Sequence, residues 1–130
     1  MAEIKGYLSL IGDCIDLSKV SKMIPRAPTW QREKSEVLGN GRMFGHCEWG
    51  VETETILSND LSTIENTIAN LLPCPREELA EIACCFDSEW SILFLIRVSN
   101  EFPVLSLSSD FIKFAADINA SIGFDVYQII

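Results

Sequence analysis

The sequence is poor in the side chains from which metal and nucleophile sites are usually built. It contains one histidine, His46, and its five cysteines include no C-x-x-C pair. Zinc sites usually need three or four ligands at characteristic spacings, so no metal site is predicted. His46 and Cys47 are neighbours on a predicted strand and point to opposite faces, which disfavours a Cys-His nucleophile. A metal site assembled in three dimensions from His46, Cys47 and Cys14 stays an alternative.

The sequence also lacks a convincing acid–base pair. Glu52 and Glu54 stand two residues apart and would share one face of a strand. Two acids in that position are more typical of a solvated surface than of carboxylates held in a cleft with separated pKa values. We therefore predict no catalytic residue and no cofactor, and a protein that is not an enzyme.

Export and membrane signals are missing as well. The first residues carry no basic segment followed by a long apolar stretch, and the longest apolar run, Ile92 to Ile96, is far too short to span a bilayer. An odd number of cysteines without a secretion signal is typical of reduced thiols. We expect a cytoplasmic protein that does not contact membranes.

Positive charge is scarce over a long segment of the chain. The net charge is −9, and no lysine or arginine occurs between Arg42 and Arg76. The same segment contains five acids, which are Glu48, Glu52, Glu54, Asp60 and Glu65. Such a surface repels nucleic acid and attracts basic protein partners, although acidic surfaces also simply keep proteins soluble.

The hydrophobic pattern predicts an α+β fold. A length of 130 residues is typical of one domain, so residues 1–130 are predicted to form a single domain. Trp90 to Val98 is almost continuously apolar, which predicts a central strand covered on both faces. We expect a mixed, mostly antiparallel sheet of about five strands with helices packed on it. The predicted strands are 7–11, 46–55, 90–98, 104–107 and 124–129. Helices are predicted to begin after Asp16, after Asp60, at Pro75 and after either Ser108 or Ser109.

Residues 25–44 form the longest segment without clear periodicity. It contains Pro25, Pro28, Gly39 and Gly41 and four of the ten lysine and arginine residues of the chain. Loops of this kind often carry function, so a cleft beside it is an alternative site for a small ligand or for catalysis.

Three parts of the chain resemble one known family. They are Tyr7-x-Ser9-Leu10-x-Gly12-Asp13-x-x-Asp16, Trp49 on the strand after a glycine-bearing loop, and Leu105-Ser106-Leu107-Ser108 followed by the I-G-F-D-V-Y segment at 122–127. These motifs resemble an uncharacterised bacterial domain family of unknown function that is built as a compact α+β unit. The resemblance implies a cytosolic protein, and some members of the family resemble immunity proteins encoded beside secreted toxins.

The resemblance and the charge together favour an immunity protein. Its partner would be a basic nuclease domain of a polymorphic or contact-dependent toxin system, because nucleases that act on polyanions are usually basic. The alternatives are a small-ligand or enzymatic domain using the cleft near residues 25–44, and a non-catalytic regulatory module. The predicted contact residues are the acids Glu48, Glu52, Glu54, Asp60 and Glu65, with Trp49 or Trp30 as an aromatic anchor.

Overall fold

The structure is a computed structural model and is described here for residues 1–35, 41 and 45–129. These residues form six strands and four helices in the order β-α-β-β-β-α-α-β-α-β. The elements are β1 (Ala2–Gly12), α1 (Leu17–Met23), β2 (Trp30–Arg32), β3 (Cys47–Glu52), β4 (Ile56–Ser58), α2 (Ser62–Ala69), α3 (Arg76–Cys85), β5 (Glu89–Val98), α4 (Ser109–Asp117) and β6 (Ser121–Gln128).

All six strands belong to one sheet with the order β2-β3-β1-β5-β6, and β4 pairs with the beginning of β1. Every pairing is antiparallel except β5–β6, which is parallel because α4 forms the crossover between them. The prediction of an α+β fold with a mixed, mostly antiparallel sheet is therefore confirmed. None of the described helices is long and apolar enough to cross a bilayer.

The predicted strand at residues 104–107 is wrong. In this segment only Val104 makes a bridge, and its partner is Asp60 rather than β5. The reason is that both edges of β5 are occupied, one by β1 and the other by β6, so no edge is left for a hairpin. The two short strands β2 and β4 were not predicted, because three residues are too few to show an alternating pattern.

The segment 25–44 is only partly the irregular loop that was predicted. It contains β2, which pairs with β3 through Trp30, Gln31 and Arg32. Gly39, Asn40 and Arg42 lie outside the described residues.

All four helices pack on the same face of the sheet. On β1 this face carries Ala2, Ile4, Leu8 and Leu10, and every second residue of β5 from Trp90 to Val98 joins them in the core. Gly6 lies on this face too, and a Cβ atom there would come within 2.5 Å of the Ile68 side chain of α2. The sheet and α2 approach so closely because Gly6 has no side chain.

Candidate functional site

The sheet face opposite the helices is the candidate functional surface. On β5 the residues Ser91, Leu93 and Leu95 alternate with fully buried neighbours and are only half-buried. The prediction that β5 is covered on both faces is therefore wrong, because the described helices cover one face alone. We call the other face the open face; its residues include Lys5, Tyr7, Ser9, Ile11, Trp30, Glu48, Glu52, Ser91, Leu93, Ser121 and Gly123.

Trp30 packs over Gly50 on the open face, near the edge of the sheet. Its strand β2 pairs with β3 so that Trp30 stands opposite Gly50, and any Cβ atom at position 50 would overlap the indole ring. Tyr7 contacts the indole edge-on, with 5.7 Å between the ring centroids and an interplanar angle of 69°. The aromatic pair is thus fixed in place while part of the Trp30 ring stays accessible to solvent.

Two of the predicted acids flank this aromatic pair. Glu48 and Glu52 are on the open face of β3, two residues before and two residues after Gly50, and both are half-buried. Lys5 pairs with Glu52 at 3.2 Å and lies 5.7 Å from the centroid of the Tyr7 ring. The structure therefore places Trp30, Glu48 and Glu52 on the same face of the sheet.

Trp49, the other predicted anchor, is in the core and cannot contact a partner. It is 0 % exposed, packs edge-on against Trp90 with the ring centroids 6.5 Å apart, and donates its indole N–H to the Ser21 hydroxyl at 3.2 Å. The physical reason is the alternation of a strand, since a residue next to Glu48 must point to the opposite face.

Glu65 is also buried, with 5 % of its surface exposed, so its prediction as a contact residue is wrong. Its carboxylate accepts hydrogen bonds from the backbone N–H of Ser108 at 3.0 Å and from the Ser108 hydroxyl at 2.7 Å. Ser108 is the N-cap of α4, and its hydroxyl accepts from the N–H of Phe111. Glu65 therefore joins α2 to the start of α4, where the helix dipole favours a negative charge.

We expect Glu65→Gln to lower the free energy of unfolding by about 1–2 kcal/mol, because a neutral amide accepts these hydrogen bonds less strongly than a carboxylate. Urea denaturation followed by circular dichroism measures the loss. Glu81→Gln, at an exposed position of α3, is the matched control and should change stability by less than about 0.5 kcal/mol. Equal losses in the two variants would show that the buried carboxylate has no special role.

Glu54 and Asp60 are exposed but lie outside the strands of the open face. Asp60 accepts hydrogen bonds from the Ser62 hydroxyl at 2.7 Å and from the Ser62 backbone N–H at 3.1 Å. These two hydrogen bonds, the hydroxyl first, hold the pKa of Asp60 below its usual value. Asp60 thus stabilises the beginning of α2, and the structure does not join it to Trp30.

The cleft predicted beside residues 25–44 corresponds to a cavity of about 680 Å³ between α1 and β2. Ser18, Ser21, Lys22 and Gln31, which line it, are all exposed, so the cavity is a surface depression without a buried polar group. In the described part of the chain no three His, Cys, Asp or Glu side chains come close enough together to hold a metal ion.

Comparison with known proteins identifies one family. The family described as "Domain of unknown function (DUF4279)" matches residues 2–129. No curated protein and no solved structure matches the chain.

Proposed function

We propose that this chain, which belongs to the DUF4279 family of domains of unknown function, is an immunity protein that binds and neutralises a basic toxin domain through the open face of its sheet. The observation that carries the proposal is the half-buried Trp30–Tyr7 pair between Glu48 and Glu52 on a sheet face that none of the described helices covers. Binding, and not chemistry on a substrate, is the activity proposed.

The shape and composition of the open face support this proposal. Protein interfaces are enriched in aromatic residues at the centre and carry polar residues at the rim, and Trp and Tyr are frequent among the residues that contribute most binding energy. Trp30 and Tyr7 are held by contacts within the protein, so little conformational entropy is lost when a partner covers them.

The charge of the protein supports a basic partner. A net charge of −9 attracts a positively charged domain over distances of about a Debye length, which is roughly 8 Å at physiological ionic strength. Glu48 places part of this negative charge beside the aromatic pair, and Glu52 stands there in an ion pair with Lys5. An acidic protein that covers the substrate cleft of a basic nuclease would compete with the polyanionic substrate for the same positively charged surface.

The direct test is a growth rescue. The C-terminal domain encoded immediately upstream of this gene is expressed in bacteria with and without this protein, and the two proteins are then purified together through a tag on one of them. Relief of toxicity together with a stable complex is the expected result. A harmless upstream product, or toxicity that persists without complex formation, would contradict the proposal.

The electrostatic part of the proposal predicts that Glu48→Gln with Glu52→Gln slows association with the toxin domain about 10-fold at low salt, because charges near an interface act mainly on the association rate. The matched control neutralises Glu77 and Glu81, which are exposed on α3, and should slow association much less. Stopped-flow or surface-binding kinetics at several salt concentrations measure both. An association rate that salt does not change would rule out electrostatic steering.

A further inference from the structure

A groove crosses the open face at right angles to the strands. Its floor is one row of residues, each paired with the next across five neighbouring strands. In order, the row consists of Trp30, Gly50, Ser9, Ser91 and Ser121. After Trp30, every side chain in the row is small. Adjacent strands are about 4.8 Å apart, so the three serines extend over roughly 10 Å.

The rows on either side of the serines are larger and form the walls. One wall contains Tyr7 and Leu93, which pair across β1 and β5, and the other contains Ile11 and Glu48, which pair across β1 and β3. Trp30 closes one end of the groove, and Ser121 lies at the other end, on the edge strand β6. The groove is open to solvent and has a volume of about 310 Å³.

Ser9 indicates that the groove receives a polar ligand. Only 5 % of its surface is exposed, and its hydroxyl makes no hydrogen bond with any residue in 1–35, 41 or 45–129. In the same part of the chain no fully enclosed side-chain oxygen or nitrogen lacks a partner, so the Ser9 hydroxyl must open into the groove that it lines. A partnerless hydroxyl at the bottom of a groove is an unused acceptor and donor.

We infer that the groove binds the guanidinium group of an arginine side chain of the partner. Arginine is planar, stacks on aromatic rings and donates hydrogen bonds from five N–H groups in a fixed geometry. The groove offers an aromatic ring at Trp30, hydroxyl acceptors at Ser9 and Ser91, and the carboxylate of Glu48 on the wall. Glu48 forms no ion pair with any of the described residues, and Arg32 of β2 stands opposite it on the same face.

Lysine fits the groove less well than arginine. Its ammonium group is compact and strongly hydrated, and it cannot reach an aromatic ring, a row of hydroxyls and a carboxylate with one flat surface. The inference rests on the proposed function, because it names the side chain by which the basic partner is recognised.

The test uses the full chain labelled with ¹⁵N and the probe Nα-acetyl-arginine amide. Of the three tryptophans only Trp30 is accessible, since Trp49 and Trp90 are both 0 % exposed, so the indole N–H signal of Trp30 reports on the groove. We expect that signal, assigned with Trp30→Phe, to move saturably with a dissociation constant on the order of millimolar. The dissociation constant of Nα-acetyl-lysine amide should be at least about 5-fold higher than that of the arginine probe.

Two variants locate the binding. Ser91→Leu fills the floor of the groove and should abolish the shift, whereas Ser106→Leu makes the same change at an exposed serine outside the groove and should leave it unchanged. If Ser91→Leu does not fold, Ser121→Leu at the open end and Glu48→Gln, which preserves volume, should each weaken binding several-fold. An unmoved Trp30 signal, equal binding of the lysine probe, or full binding by these variants would overturn the inference.

This experiment needs no partner, so its outcome is independent of the growth rescue. Arginine binding without rescue would support the groove as an arginine site and contradict the proposed neutralising function. Rescue without arginine binding would support the proposed function and show that the toxin is recognised through other contacts.

Discussion

Replacing Trp49 by alanine is expected to lower the free energy of unfolding by about 3–5 kcal/mol, which is the range for deleting a large buried aromatic side chain. The ring is completely enclosed, and its removal also ends the edge-on contact with Trp90 and the hydrogen bond to Ser21. Domains of this size are stable by only about 5–15 kcal/mol, so the change should remove a large fraction of the total stability. Guanidinium denaturation followed by far-ultraviolet circular dichroism measures the change.

Trp49→Phe is the control for this prediction. It retains an aromatic ring beside Trp90 but removes the indole N–H, so it should lose clearly less stability than Trp49→Ala. A loss below about 1 kcal/mol in the alanine variant would contradict the buried position of Trp49 and return it to the candidates for partner contact.

Replacing Trp30 by alanine is expected to weaken binding strongly and to change stability little. The affinity for the toxin domain should fall by at least about 30-fold, as for an aromatic residue at the centre of an interface. Stability should fall by no more than about 1.5 kcal/mol, because Trp30 is half-buried and its main aromatic contact is the one with Tyr7. Calorimetric titration and denaturation of the same preparation measure the two quantities separately.

Phe102→Ala provides a matched control for Trp30→Ala. Phe102 is also a large aromatic residue, it is 72 % exposed, and it lies in the segment between β5 and α4, outside the strands of the open face. Its replacement should leave the affinity unchanged. A similar loss of affinity in both variants would mean that the partner covers a different or much larger surface than the open face.

The fold could be predicted in outline because most of its elements have a clear hydrophobic period. Local patterns predict the buried face of α2, which contains Ile64 and Ile68. They also predict the alternation of buried and half-buried residues in β3. That alternation also contains the information that Trp49 and Glu48 point to opposite faces, so the burial of Trp49 could have been deduced from the sequence. The wrong strand at 104–107 could not be recognised from the local pattern, because strand pairing depends on which sheet edges are already occupied.

The candidate site was less accessible to sequence reasoning because it depends on contacts between distant residues. Glu65 looks like a surface acid until Ser108, 43 residues later, is placed beside it. The position of Trp30 depends on its register with Gly50, and the serine row exists only because four strand pairings align residues far apart in the chain. Glu48 and Glu52 lie on one face of β3 because they are an even number of residues apart, and this the alternation of the sequence does predict.

Fluorine NMR of the protein labelled with 5-fluorotryptophan tests the central claim most directly, namely that the open face is the binding surface. The three tryptophans give three signals, and Trp30→Phe identifies the one from Trp30. Addition of the unlabelled toxin domain is predicted to move or broaden the Trp30 signal while the signals of the enclosed Trp49 and Trp90 stay nearly in place. A stable complex in which the Trp30 signal does not change would contradict the account.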